Sequence, residues 1–388
     1  MVAFHFAEYA CRLALALAAQ RHQVQLLVQD NNFAADVDES MRRRVAQRTS
    51  LVVVPDRRPR DPRMLQAVWQ IATAVTTFVP DVMHVQESIL DYGALSLFWL
   101  RRRFPMVLTV HDAQPHSGRD RTLLEHWTAG RRRWFYAQSL RRRADRVIVH
   151  GQVIRSELAA VSPETAQRID VIPLGVLGGE RDAAGAGDFC AIDPVAPVTF
   201  MFFGRIEQYK GLGYLLDAAD ILASSGIRFR VIVAGRGPDL ARHRARILSA
   251  PWADLIEGFI AAEEIPALFR RVHALVLPYV DASQSGVATI AFNHGRPVLA
   301  TRTGSLPEMI RDGENGLLVA PRDAAGIAAA MQRLIQSPQE RDLLARGALQ
   351  FARTVLSWDR LAPLSVETYR RALASKPRSR MSPANHDA

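Results

Sequence analysis

Cysteine and lysine are nearly absent from this chain of 388 residues, which has two of each: Cys11, Cys190, Lys210 and Lys376. The cysteines stand far apart, with no C-x-x-C pair and no histidine beside them. Neither a disulfide framework nor a zinc site is indicated, and a reducing cytoplasm is the expected setting. No apolar stretch approaches the roughly 18 residues that a membrane-spanning helix needs; Tyr92 to Leu100 and Val198 to Phe203 come nearest. The opening Phe4 to Ala19 is interrupted by Glu8 and Arg12 and follows no basic segment, so it reads as an amphipathic helix and not a signal peptide. Internal repeats and long low-complexity tracts are missing too. With 48% apolar and 23% charged residues the chain is not a disordered one, and its length predicts two domains.

The scarcity of lysine gives it weight, because 47 of the 49 basic residues are arginine. The formal charge of +10 divides into +6 over residues 1–185 and +4 over residues 186–388, so neither half is a dedicated polyanion binder. Three triplets, Arg101 to Arg103, Arg131 to Arg133 and Arg141 to Arg143, fit either solvated helix faces or contact with anionic lipid or polyanionic sugar. No helix-turn-helix, RNA-recognition or zinc-finger spacing accompanies the charge, so no nucleic-acid partner is expected.

Short apolar or β-branched runs recur between helical stretches: Val24 to Val28, Leu51 to Val54, Val82 to Val85, Met106 to Val110 and Arg146 to Val149. A second series comprises Val198 to Phe203, Phe229 to Ala234, Asp254 to Glu257, Ala274 to Pro278, Pro297 to Ala300 and Gly316 to Val319. Such alternation predicts α/β architecture, with two doubly wound, Rossmann-like domains. The expected division is residues 1–175, a linker over 176–197 rich in Gly, Ala and Asp, residues 198–355, a helix over 356–374, and a frayed tail over 375–388. The chain starts in a helical pattern followed by a strand, so the first strand of the first domain is expected to be missing.

Two segments carry chemistry. In FFGRIEQYKGLGYLL, from Phe202 to Leu216, a strand turns at Gly204 into Arg205, then Lys210 and Gly211 open an apolar helix. Two cations at such a mouth converge on one anionic, phosphate-bearing ligand. Solvated surface charge is the plain alternative, which the rarity of lysine argues against. In VLPYVDASQSGVATIAFNHGRPVLAT, from Val276 to Thr301, a polar loop with Gln284 and Ser285 leads into a helix at Gly286 and Val287. Its free N–H groups suit an anion, although Ser285 alone would be an ordinary N-cap. A third loop, TGSLPE, places Gly304 at a strand exit.

The order GR(x4)KG, VIVAGRGPD, EGFI, LPY with QSGV, and HGRPVLATRTGSLPEMIRDGENGLLVAP resembles the C-terminal half of glycosyltransferase family 4, a retaining group with the GT-B fold. Val198 to Arg353 carries the likeness strongly. HVQE, LTVHDAQPHSG and RVIVHG carry it more weakly in the first half, and Trp358 and Asp359 resemble the start of the family's last helix. The resemblance implies two domains facing a cleft that holds a nucleotide-diphosphate sugar, with Arg205 and Lys210 on the diphosphate and no metal or other cofactor. It further implies that Gly258 to Ile260 face the base, that Gly235 to Gly237 line the cleft, and that His111 touches the transferred sugar. Asp112, His116 and His150 are acceptor or sugar candidates. A His111, Asp112, His116 metal site lacks a fourth ligand.

The family's two glutamates, eight positions apart, are replaced here by Ala282 and Ile290, and QSGV marks one branch of the family. The implied activity is retaining transfer of a hexose to a saccharide or lipid-linked acceptor in polysaccharide or glycolipid synthesis, with peripheral contact at the inner face of a membrane as a further expectation. A hydrolysing nucleotide-sugar epimerase of the same fold, or a non-catalytic nucleotide-sugar-binding protein, is the alternative.

Overall fold

Thirteen strands, most of them rich in Val, Ile, Leu or Phe, assemble into two parallel sheets in a computed structural model that describes residues 1–55, 61, 64–87, 100, 102–113, 131–179 and 196–375. The first sheet contains β1 (Val2–Ala3), β2 (Gln25–Gln29), β3 (Ser50–Val54), β4 (Met83–Gln86), β5 (Met106–Thr109), β6 (Arg146–Val149) and β7 (Ile169–Val171). Their order is β3-β2-β1-β4-β5-β6-β7. The second contains β8 (Val198–Phe203), β9 (Phe229–Gly235), β10 (Ala253–Glu257), β11 (Ala274–Leu277), β12 (Val298–Thr301) and β13 (Gly316–Val319), in the order β10-β9-β8-β11-β12-β13. Inner strands such as β2, β4, β5, β11 and β12 are buried throughout, as parallel strands covered by helices on both faces must be. The four edge strands β3, β7, β10 and β13 keep partly exposed residues.

The expected absence of a first strand is corrected here. Val2 and Ala3 lie in the middle of the first sheet, paired in parallel with Leu27 and Val28 on one side, while Val2 also pairs with Val85 on the other. Two residues are too few to show an apolar run, which is why the pattern pointed to a helix from Phe4. The helix begins at Ala7, behind Phe6 in a left-handed conformation with φ of 57°. β7, with the sequence IDV, was also not anticipated.

Each sheet reverses its winding between two neighbouring strands, β1 and β4 in one domain and β8 and β11 in the other. Crevices open at the carboxyl ends of strands at such points. The two switch points face each other, so the loops after β1, β5, β8, β9, β10 and β11 share one cleft.

The chain crosses between domains twice. The first crossing leaves β7 through Leu174 to Gly179; Lys376 and the other residues of 376–388, like 180–195 with Cys190, lie outside the described residues. The second is at Leu356, before the helix Trp358–Ser375 returns to pack Leu361, Ala362, Val366 and Tyr369 against Leu13, Leu17 and their neighbours in the first-domain core. The crossings are fastened together. Val176 N–H donates to Leu356 O at 3.1 Å, and the Trp358 indole N–H donates to Val176 O at 2.8 Å. A Cβ on Gly175 would stand 2.5 Å from the Trp358 ring, so glycine is required under it.

Candidate active site

The cleft has a volume of about 570 Å³, within the range of small-molecule sites. Its second-domain wall begins where β8 ends. Gly204 N–H donates to Ala234 O at 2.9 Å and Ile206 N–H to Arg236 O at 2.9 Å, so the exits of β8 and β9 travel side by side. That closeness explains Gly235: at φ of 145° a Cβ would come within 1.9 Å of Gly204 O. Gly237 packs on Ile206, and Gly304 packs on Ala282, in the same backbone-to-backbone manner. Gly235 lines the cleft; Gly237 and Gly304 do not. Gly258 differs, because a Cβ there would meet open space, and it lines the cleft with Phe259 and Ile260.

Arg205 and Lys210 both lie beside Gly204, in contrasting states, and only Arg205 lines the cleft. Arg205 is 69% exposed, lines the cleft, and its Nε donates to Glu207. Lys210 is buried, with its Nζ 3.8 Å from where a Gly204 Cβ would lie and 5.6 Å from the Tyr279 ring centre. Burial pulls its ammonium down to about 8, opposed by Glu207 and assisted by Arg205. Gly286 opens the helix Gly286–Asn293 and lines the cleft. Ser285 does act as the N-cap, accepting from Ala288 N–H at 3.3 Å, and Val287 packs towards Gly204, so neither lines the cleft.

The first-domain wall is built around His111, the second residue after β5. Its Nε2–H donates to Gln86 Oε1 at 2.9 Å, and its Nδ1 accepts from Gln284 Nε2 of the other domain at 2.9 Å. Phe6 stacks on the ring at 3.6 Å between centroids, and His150 lies 5.0 Å away. Burial first, then the neighbouring His150, holds His111 well below the usual histidine range, while Asp112 pulls the other way, so the ring is neutral at pH 7. Asp112 accepts from the Ser283 hydroxyl, a second bond across the cleft. His150 is buried behind this wall with Nδ1 on Ile172 O at 2.9 Å and does not line the cleft. His116 lies outside the described residues.

Where the family pattern has glutamates, Ala282 and Ile290 are buried, and Ile290 presses on the hinge at Gly178. The carboxylates lining the cleft are instead Glu8, Asp36 and Asp112, all from the first domain. Glu8 is committed to the hinge, accepting from Gly178 N–H at 2.7 Å and from Arg12 at 2.8 Å. Burial and the nearby Glu8 raise Asp36 to about 6. Sequence reasoning missed Phe6, Tyr9 and Tyr209 on the cleft wall. Arg236 and Phe259 do line it, inside the expected stretches Gly235 to Gly237 and Gly258 to Ile260; Phe6 and Tyr9 carried no local signal.

The arginine triplets also need correction. Arg141 is a buried residue bound to Glu87, not a surface cation, while Arg142 pairs with Glu164 at the exposed surface. Arg101 and the side chains of Arg131 to Arg133 lie outside the described residues. Among those described, no helix is long and apolar enough to cross a membrane.

Facing Rossmann-like domains with one cleft across both switch points define the GT-B fold. Residues 7–176 match the family model described as Glycosyltransferase Family 4, and residues 197–337 the one described as Glycosyl transferases group 1. Among curated proteins the chain is similar to glycogen synthase of Mycobacterium tuberculosis, 28% identical over 295 residues covering 75% of this chain and 68% of that protein. It is similar also to D-inositol 3-phosphate glycosyltransferase of Nocardioides sp., 30% identical over 251 residues covering 60% of this chain and 54% of that one. The solved structure of Anabaena HepE in complex with UDP-glucose shares the fold, with a TM-score of 0.68 at 19% identity over 95% of this chain and 98% of that chain. Its two halves together place the chain in the group 1, family 4 glycosyltransferases, and it is a nucleotide-sugar glycosyltransferase.

Proposed function

We propose that the protein transfers a hexose from a nucleotide-diphosphate sugar to a saccharide or lipid-linked acceptor with retention of configuration, in the branch of the family where QSGV stands in for the paired glutamates. The observation that carries this reading is the pair of cations beside Gly204, one exposed to the cleft and one buried beneath it, opposite His111. Cleavage of the glycosidic bond leaves added negative charge on the diphosphate. The fixed Arg205 guanidinium and Lys210 ammonium, with the amides at the start of the helix Gly286–Asn293, meet that charge without reorganising and without a metal. The acceptor hydroxyl attacks from the face the diphosphate leaves, its proton passes to the departing phosphate oxygen, and the new glycosidic bond forms as the old one breaks. His111, neutral and held from both ring nitrogens, sits on the sugar side, with Asp112 beside it. Gly258 and Ile260 take the base. An acceptor at the inner face of a membrane fits the remaining triplets, Arg101 to Arg103 and Arg131 to Arg133.

Arg205→Ala with Lys210→Ala is expected to abolish donor turnover, measured as release of nucleoside diphosphate across a panel of nucleotide sugars, with the melting temperature preserved. Turnover at the original rate in that variant would remove the mechanism. Ala282 and Ile290 favour a second reading, a donor-binding protein without transfer. It predicts calorimetric donor binding by the unaltered protein with neither product nor hydrolysis.

A further inference from the structure

One buried guanidinium ties together the two strand exits that hold His111. Arg141 lies on the helix Arg131–Arg143 with its side chain 5% exposed. Its Nε and Nη2 donate to the two carboxylate oxygens of Glu87 at 2.7 and 2.9 Å; Nη2 also donates to Asp112 O at 2.8 Å, and Nη1 to Ala113 O at 2.8 Å. Glu87 directly follows Gln86 at the end of β4, and Gln86 accepts from His111. Asp112 and Ala113 directly follow His111 at the exit of β5, past the ladder bond from Val110 N–H to Ile148 O. Arg141 thus fixes the backbone after His111 and, through Glu87, the residue beside its side-chain partner.

We propose that Arg141, paired with Glu87, is a positioning residue that sets the orientation and tautomer of His111 for sugar transfer. The inference rests on the functional reading above, in which His111 serves the transferred sugar. A buried ion pair contributes little net stability compared with apolar residues of the same shape, so stability alone does not account for it. A guanidinium fork donates to a carboxylate and two carbonyls at once from a rigid, planar group, which a lysine ammonium on a flexible stem does not reproduce. The task that remains is directional: holding the loop so that His111 Nε2–H points at Gln86 while Nδ1 faces the other domain.

The test uses the full chain with 15N-labelled histidine, the His111 resonance being the one lost in His111→Gln. In the unaltered protein that resonance is expected to show the Nε2–H tautomer. In Arg141→Lys it is expected to move to a mixture of tautomers. The double variant Glu87→Leu, Arg141→Met replaces the pair by apolar groups and keeps the fold in case the single variant does not. Both variants should bind UDP, GDP or ADP as the unaltered protein does, within about twofold, because those probes address the second domain. For whichever of UDP-glucose, GDP-mannose or ADP-glucose is turned over, kcat should fall at least about tenfold with KM little changed. An unaltered His111 resonance in folded Arg141→Lys and in the double variant overturns the proposal. If none of the three donors is turned over, the functional reading fails for them, and the resonance still decides whether Arg141 positions His111.

Discussion

Lys210 concentrates what a single side chain contributes here. Because burial brings its ammonium to about 8, it loses its charge in the free protein as the pH rises past that value, whereas a bound diphosphate would keep the proton in place. Affinity for a nucleoside diphosphate is therefore expected to fall as the pH rises past about 8, by up to about tenfold per unit. Calorimetric titration with UDP and GDP at several pH values checks this, and a level profile up to pH 9.5 would contradict it. Lys210 stood out in the sequence because this chain writes nearly every other cation as arginine. Arg141 did not, for the same reason: a triplet of identical letters hides the one that turns inward, and only the partners Glu87, Asp112 and Ala113, brought close by the fold, set it apart.

At the scale of elements, the helix Gln152–Val161 shows one domain completing the other. Its N-cap is Gly151, which has no side chain to offer, and the exposed first-turn groups are met from the second domain: Glu308 accepts from Gln152 N–H at 2.6 Å and Val153 N–H at 2.8 Å. Such a contact is worth roughly 1 kcal/mol. Glu308→Gln, which keeps one carbonyl acceptor and loses the charge, is expected to loosen the closed arrangement and raise donor KM by about fivefold. Small-angle scattering checks the first effect, as a more open average shape, and steady-state kinetics the second. The strands were largely legible, since β6, β8 and β13 coincide with their apolar runs and most others differ by one residue at an end. What escaped was whatever lacked enough residues to show a period: Val2–Ala3, held in mid-sheet by neighbours on both sides, and the three residues of β7. The cross-cleft bonds of Gln284, Ser283 and Glu308 were illegible in principle, because each joins positions more than 150 residues apart.

At the scale of the whole molecule, three histidines among the described residues are buried in and around the first domain, His84, His111 and His150. Burial lowers His84 to about 3 and His150 to about 4, and holds His111 well below 6.5. Each is neutral when folded and takes up a proton on unfolding once the pH drops below about 6.5. The unfolded chain then binds more protons, so stability must decline with falling pH, by at most about 1.4 kcal/mol per histidine per unit between 6.5 and the folded value. Scanning calorimetry from pH 7.5 to 4.5 should record a falling melting temperature, with first-domain unfolding leading; a temperature unchanged over that span would contradict the assignment. His84 extends the effect to the C-terminal helix, since its ring bonds to Tyr369 Oη at 2.7 Å.

The paired crossings at Val176 and Leu356, pinned by Trp358, have a mechanical consequence. Two covalent links side by side act like the spine of a book and leave the domains essentially one rotational coordinate. A donor seated on the second domain is then carried along an arc of fixed radius towards His111. The search for the reactive alignment becomes one-dimensional, and a change anywhere along the spine alters where that arc ends.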